Sequence, residues 1–245
     1  MILGIIPARY ASTRYPGKPL IDIKGKSMIQ RVYEQSLGAK KLDKVLVATD
    51  DQRIFDHVLG FGGNAVMTGS NHPSGTDRCQ EALELSKGPF KYVINIQGDE
   101  PFIDPSQIDL LADLLDGQVE LATLMIPVDS EEVLFDKGEV KVVFNSAMEA
   151  LYFSRTPIPA IKGVPEGKWH LHHPFFRHVG LYAYRADILK QITLLPPSLL
   201  ENAESLEQLR WLENGFKIKL AVTLFDSHCI DTPEDVEKAL RLMNK

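Results

Sequence analysis

The chain reads as an α/β fold built on a mostly parallel central sheet flanked by helices. Three observations predict it. Ile2–Ile6, Lys44–Thr49 and Tyr92–Ile96 are short, continuous apolar runs rather than alternating ones, as expected of strands buried on both faces. Helix-like segments stand around them at Met28–Leu37, Asp50–Leu59 and Asp77–Ser86, the alternation that makes parallel βαβ units. Hydrophobic residues make up 44% of the 245, ample for the core of one domain with a smaller subregion.

Composition narrows the class. The 27 basic and 33 acidic residues leave a net charge of −6. That balance argues against nucleic-acid and membrane-surface partners, which select a basic face. Cys79 and Cys229 are the only cysteines, far apart and in no metal spacing, as expected in a reducing compartment. No apolar run approaches the roughly 18 residues of a membrane span. The apolar start is five residues long and lacks a basic leader, unlike a signal peptide. The expected location is the cytoplasm.

After the first strand, Pro7, Pro16, Gly17 and Pro19 enforce a loop. It carries Arg9, Arg14 and Lys18, with Ser12 and Thr13 between them and no acidic residue. Arg offers phosphate a flat fork and Lys a movable point charge, so the loop suits a polyphosphate. Its place after the first strand is where α/β sheets bind ligands.

Met28, Val32 and Leu37 give the next segment helical spacing, and Gly38 stops it. Asp50 and Asp51 then open a helix through about Leu59, where acidic residues suit the helix dipole. Ala65–Thr68 is a short third strand. His72–Arg78 (HPSGTDR) is a turn entering a helix. Hydroxyl capping accounts for its spacing. A ligand-facing role also fits, because Gly75 lets the backbone approach and Ser74, Thr76 and Arg78 offer hydrogen bonds.

The fourth strand, Tyr92–Ile96, ends in Gln97-Gly98-Asp99-Glu100-Pro101. Asp104, Pro105 and Gln107 supply the N-cap, first position and third position of the next helix. Its core stripe is Ile108, Leu111 and Leu115. Capping leaves Asp99 unexplained. A carboxylate there suits Mg²⁺, which takes one or two carboxylates plus phosphates and water.

From Leu121 the alternation loosens. Leu121–Val128, Glu139–Phe144 and Ala150–Ser154 are strand-like with turns between them, predicting a mixed-sheet subregion over about 121–185 of a single domain, 1–245. Residues 162–177 read as a long surface loop, with His170, His172 and His173 as loop or interface residues. His178–Arg185 is a strand and Leu189–Ile192 is helical. Ser198 starts another helix, and Ser205–Gln208 reads as a capping box for a third that Gly215 ends. Glu207 and Gln208 therefore have a structural job available beside substrate contact. Lys217–Leu224 is a late strand. Thr232 as N-cap, Pro233, Glu234 and Asp235 explain the last helix start but not Asp231. Asp231 is expected to join Asp99 on the metal side.

Cations, carboxylates and Gly turns converge on nucleotidyl transfer from a Mg²⁺-bound nucleoside triphosphate. A sugar hydroxyl attacks the α-phosphorus and pyrophosphate leaves. Positioning and charge neutralisation supply most of such a rate. A nicotinamide-dependent oxidoreductase needs G-x-G-x-x-G after the first strand. Only Gly17 follows it early in this chain.

Pro7–Pro19 (PARYASTRYPGKP) closely resembles the signature loop of the 3-deoxy-manno-octulosonate (Kdo) cytidylyltransferases. SGTDR at 74–78, NIQGDEP at 95–101, ALYFSR at 150–155, HVGLYAYR at 178–185, LEQLR at 206–210 and DTPEDVE at 231–237 resemble the family's other blocks, in its order. The resemblance implies a Rossmann-like nucleotidyltransferase fold and a homodimer formed through the mixed-sheet subregion. It implies Mg²⁺, and CTP and Kdo as substrates, giving CMP-Kdo and pyrophosphate for lipopolysaccharide biosynthesis. Carried over by matching block, Arg9, Lys18, Asp99 and Asp231 are catalytic, with Asp99 and Asp231 on the metal. Ala8, Arg9, Ser12, Arg14, Lys18, Ser74, Thr76, Arg78, Gln97 and Gly98 hold the nucleotide. Arg155, His178, Tyr182, Tyr184, Glu207 and Gln208 hold the sugar, and Arg155 suits its carboxylate. Cys229 stands where the family often has Gly, and the His-rich loop matches no motif. The nearest alternative is a cytidylyltransferase for another acidic sugar, 8-amino-Kdo or sialic acid.

Overall fold

A computed structural model describes residues 1–11, 15–226, 229–230 and 232–242. The chain divides into two compact units, 1–112 with 227–245, and 113–226.

The first unit starts with the strand β1 (Ile2–Ala8), two residues longer than the apolar run predicts. Two short strands, β2 (Asp22–Ile23) and β3 (Lys26–Ser27), pair with each other and lead into helix α1 (Met28–Leu37). Ser27 caps α1 by accepting from Gln30 N–H at 3.2 Å. Strand β4 (Lys44–Thr49), helix α2 (Gln52–Gly60), strand β5 (Ala65–Met67), helix α3 (Gly75–Ser86), strand β6 (Tyr92–Asn95) and helix α4 (Pro105–Asp113) follow. Both β4 and β6 pair parallel to β1, and β5 pairs parallel to β4. Leu3, Ile5, Ile6, Val47, Val93 and Ile94 have no exposed surface. Burying each such side chain is worth about 1.5–3 kcal/mol, so the β-branched runs drive this half of the sheet. The parallel pairing brings Ala8, Thr49 and Asn95 to one end of the sheet.

The expected caps hold in part. Asp51 alone caps α2, accepting from Arg53 N–H at 3.0 Å. Asp50 instead faces Arg78, 3.4 Å away. Asp104 accepts from Ser106 N–H at 2.8 Å at the start of α4. That helix ends at Asp113, so Leu115 lies beyond it rather than on its stripe.

The second unit holds β7 (Leu121–Pro127), α5 (Glu131–Phe135), β8 (Lys141–Phe144), β9 (Ala150–Ser154), α6 (Trp169–His172) and β10 (Phe176–Arg185). Helices α7 (Ala186–Ile192), α8 (Leu199–Glu204) and α9 (Glu207–Glu213) and strand β11 (Ile218–Val222) complete it. Strand β7 lies between β11, parallel to it, and β10, antiparallel. Hairpin β8–β9 joins β10 through the pair Lys141 and Arg177. This is the mixed pairing predicted for the region.

Two expectations in this unit need correction. Residues 162–177 are not one surface loop, because Glu166–Lys168 and α6 are helical turns. Trp169 and Phe175 are buried with Val128 and Leu134, an apolar cluster that folds the segment back. The capping box is not at Ser205 but at Ser198, which exchanges hydrogen bonds with Glu201. Ser205 has φ 52°, left-handed rather than the extended backbone an N-cap needs, and it ends α8.

The tail returns to the first unit as α10 (Pro233–Leu242). Val236 and Leu240 pack on Ile23, Met28 and Ile230. Thr232 N–H and O–H both donate to Asp235.

Candidate active site

In the first unit a cavity opens at the carboxyl ends of β1 and β6. Ala8, Arg9, Lys18 and Pro19 line it from the loop after β1. Gln97, Gly98 and Asp99 line it from the turn after β6, and His72, Pro73, Ser74, Gly75 and Arg78 from the entry to α3.

The loop after β1 is held at its base. Gly17 N–H donates to Tyr10 C=O at 3.0 Å. Gly17 has φ 73°, and a Cβ there would lie 3.1 Å from the Tyr10 ring. Only glycine meets both conditions without strain. The Arg53 guanidinium stacks on the same Tyr10 ring, 3.3 Å from its centroid. Asp51 accepts from that guanidinium at 3.0 and 2.7 Å. Lys18 opens the turn Lys18–Leu20 directly after Gly17.

Opposite charges meet in the cavity. Lys18 Nζ donates to Asp99 Oδ2 at 2.9 Å, with both side chains mostly buried. Gly98 lets the chain pass close to β1, since a Cβ there would lie 2.8 Å from Pro7 O. Ile230 N–H donates to Asp99 C=O at 2.9 Å, tying the tail to the same turn.

Ser74 caps α3, accepting from Asp77 N–H and donating to Asp77 Oδ2 at 2.6 Å. Hydroxyl capping of the HPSGTDR turn is therefore observed, and the capping residue also lines the cavity. Thr76 is buried in the first turn of α3. Arg78 is buried too, donating to Thr68 Oγ1 at 2.6 Å and Gly69 C=O at 3.3 Å, with Asp50 beside it. Its charge is thus fixed at the cavity wall. Ser12, Arg14 and Asp231 lie outside the described residues.

The residues assigned to the sugar gather in the second unit. Arg155 donates through its guanidinium to the carbonyls of Glu204 (2.6 Å), Lys137 (3.0 Å) and Ser205 (3.2 Å). It ties β9 to the junction between α8 and α9. The His178 ring lies among Phe153 and Tyr182, centroids 5.2 and 5.0 Å away. Desolvation pulls its pKa down to about 3, so the ring is neutral. Its Nε2 is 3.0 Å from Thr123 Oγ1.

Tyr182 stacks on Tyr184 and meets Trp211 edge-on. Its buried hydroxyl has no hydrogen-bond partner among the described residues. Burial pushes that phenol well above its ordinary pKa, with Tyr184 and Glu207 adding to the shift. Tyr184 has no exposed surface in this structure, and Gln208 is buried on α9. The pairing of β10 with β7 slips between Val179 and Tyr182. That irregularity re-aims the strand where the aromatic residues sit. Lys141 is fully buried nearby in β8, and its ammonium donates to the carbonyls of Asp136 (2.7 Å) and Glu139.

One lining residue escaped assignment from the sequence. His72 Nε2 is 2.5 Å from Glu81 Oε2, which also accepts from Gly69 N–H at 2.8 Å. Its only sequence signal is its place two residues before Ser74.

Comparison with known proteins follows this geometry. A family model described as cytidylyltransferase matches residues 3–218. A 3-deoxy-manno-octulosonate cytidylyltransferase of Cytophaga hutchinsonii is 57% identical, over 96% of this chain and 94% of that protein. The chain belongs to the 3-deoxy-manno-octulosonate cytidylyltransferase family. A second member of this cytidylyltransferase family, from Parabacteroides distasonis, is 55% identical over 98% of this chain and 97% of its own. A solved structure of CMP:2-keto-3-deoxy-manno-octonic acid synthetase complexed with CTP superposes with a TM-score of 0.92. It is 42% identical and covers 99% of this chain and 98% of its own. The cytidylyltransferase fold expected from the sequence is thus the fold observed.

Proposed function

We propose that this protein transfers the cytidylyl group of CTP to Kdo, giving CMP-Kdo and pyrophosphate. The observation that carries this reading is the cavity that Arg9 lines and in which Lys18 pairs with Asp99, in a chain of this family.

Arg9 and Lys18 bind the triphosphate and offset the charge that grows on departing pyrophosphate. Arg14 and Ser12 extend that set. Gly98 and Gly75 bring the backbone close to the nucleotide, which Ser74, Arg78, Gln97, Thr76 and Ala8 help to hold. Arg155, His178, Tyr182, Tyr184, Glu207 and Gln208 form the sugar set. Neutral His178 orients a sugar hydroxyl through a hydrogen bond rather than through charge.

Asp99 and Asp231 are the residues that would hold Mg²⁺. The donors fit: Asp99 is a hard oxygen ligand on the cavity wall, beside cations that suit phosphate. The neighbour of Asp231, Ile230, is hydrogen-bonded to Asp99. When bound, Mg²⁺ neutralises phosphate charge and lowers the pKa of the attacking hydroxyl. In the free protein Lys18 balances the Asp99 carboxylate.

We read the working form as a homodimer. Leu151 and Leu171 of the second unit are 60% and 70% exposed, a cost that a partner surface would remove. Two cysteines far apart in the sequence, Cys79 and Cys229, support a cytoplasmic location, where CMP-Kdo would feed lipopolysaccharide assembly. The test is pyrophosphate release with each of the four NTPs, crossed with Kdo, 8-amino-Kdo and sialic acid, with and without Mg²⁺. Mg²⁺-dependent release confined to CTP with Kdo supports the reading. Release with another pair, or undiminished release in EDTA, replaces it.

A further inference from the structure

His72 lines the cavity, is paired with Glu81, and has no role in the reaction as outlined. Glu81 sits on α3, and its Oε2 accepts from both Gly69 N–H (2.8 Å) and His72 Nε2 (2.5 Å). Those bonds hold the Glu81 carboxyl below its ordinary pKa, the His72 bond contributing most. Glu81 is therefore a carboxylate and can only accept, so the proton on the shared bond belongs to His72 Nε2. When the imidazole is neutral, this tautomer leaves Nδ1 bare, an acceptor. Among the described residues, nothing donates to that nitrogen. The ring itself lines the cavity beside Pro73, Ser74 and Arg78. Arg78 brings fixed donors to this wall, and His72 brings a fixed acceptor.

We propose that His72 reads the nucleotide: Glu81 pins its Nε2–H, and Nδ1 accepts a hydrogen bond from an N–H or O–H of the nucleoside. CTP has two such donors, the exocyclic amine of the base and the ribose hydroxyls. UTP carries a carbonyl in place of the amine, and an acceptor facing an acceptor repels. This inference rests on the proposed function, which makes CTP the ligand.

The test is calorimetric binding of CTP, UTP and 2′- and 3′-deoxy-CTP in Mg²⁺ buffer to the wild type, His72→Leu and His72→Asn. A neutral hydrogen bond at a buried site corresponds to about a tenfold change in affinity. The expected result is CTP binding weakened about tenfold by His72→Leu and largely recovered by His72→Asn, whose amide oxygen stands near the place of Nδ1. If the amine is the donor, the preference for CTP over UTP falls about tenfold in His72→Leu and the deoxy-CTP ratios stay. If a ribose hydroxyl is the donor, a deoxy-CTP ratio falls and the UTP ratio stays. Unchanged CTP affinity in His72→Leu, equal losses in both variants, or no movement in either ratio overturns the proposal. Should His72→Leu not melt like the wild type, Glu81→Gln replaces it, because an amide no longer dictates the tautomer. Weakening of CTP binding by about threefold or more then supports the proposal, and no weakening overturns it. Wild type that binds CTP but releases no pyrophosphate with Kdo sinks the proposed function and leaves the His72 result standing.

Discussion

The two units solve opposite problems with similar materials. The first is a parallel sheet whose strand ends hold a polar cavity, with Lys18 and Asp99 paired at 2.9 Å inside it. The second is a mixed sheet whose assigned residues sit in an aromatic wall, Tyr182, Tyr184 and Trp211 against neutral His178. In the first, charge is kept at the surface of a pocket, where a charged ligand can exchange with it. In the second, polar groups are drawn into apolar surroundings, where shape and single hydrogen bonds discriminate. The contrast teaches where stability and function are separable. Ser74 and Arg78 serve the fold as well as the cavity, one capping α3 and the other pinned at its wall.

Four substitutions break or sharpen this contrast. The largest effect belongs to Asp99→Asn, which keeps the size of the side chain and removes its charge. It is expected to lower turnover by at least about 10²–10³-fold, while thermal melting stays within a few degrees. Pyrophosphate release and a melting curve on the same sample measure both. Near-normal turnover in a folded variant would remove the metal role. Next is Lys18→Ala. Loss of a charge-assisted contact, about 1.5–3 kcal/mol, raises KM for CTP by about 10–100-fold. An unchanged KM would place the triphosphate elsewhere.

Glu201→Gln probes the second unit and is expected to act on stability. Glu201 accepts both arms of Arg210, at 2.7 and 2.5 Å, and completes the capping box of α8. The Arg210 bonds hold its carboxyl below its ordinary pKa. A lowered folded pKa adds stability above the unfolded value, about 4.3, that is lost as pH falls through the folded one. The variant should lose about 1–3 kcal/mol at pH 7 and much less near pH 3, read from urea titrations at the two pH values. An equal loss at both would mean the ion pair contributes nothing. The smallest effect is Tyr182→Phe. Removing a buried hydroxyl that has no partner among the described residues should leave stability unchanged or raise it by up to about 1 kcal/mol. KM for Kdo should rise about threefold to tenfold if that hydroxyl meets the sugar. Lower stability with unchanged kinetics would make Tyr182 a core residue alone.

Much of the first unit was legible in the chain itself. Continuous β-branched runs have one good solution, a strand covered on both faces, and α1 and β4 fall where the pattern puts them. Asp99 was legible by elimination, since Asp104 already served the cap. The second unit was legible as mixed pairing but not in its details. Ser205 and Ser198 carry the same local signal, and only the backbone at Ser205, left-handed at φ 52°, decides between them. The segment 162–177 looks polar and turn-rich, yet Trp169 and Phe175 fold it onto Val128 and Leu134. Local propensity is weaker than the burial of two large aromatic side chains.

By itself, then, the sequence determined the parallel half-sheet, the basic loop after its first strand, the acid after its fourth and, through ordered motifs, the family. Those depend on residue type and spacing over a few turns of chain. Only the tertiary structure decided that Lys18 meets Asp99 across 81 positions, that Arg78 is pinned by Thr68 and Asp50, that Glu81 orients His72, and that Tyr182 buries its hydroxyl among aromatic rings. Charge partners and burial are set by which strand ends and helix starts arrive at the same place, and that is a property of packing, not of spacing.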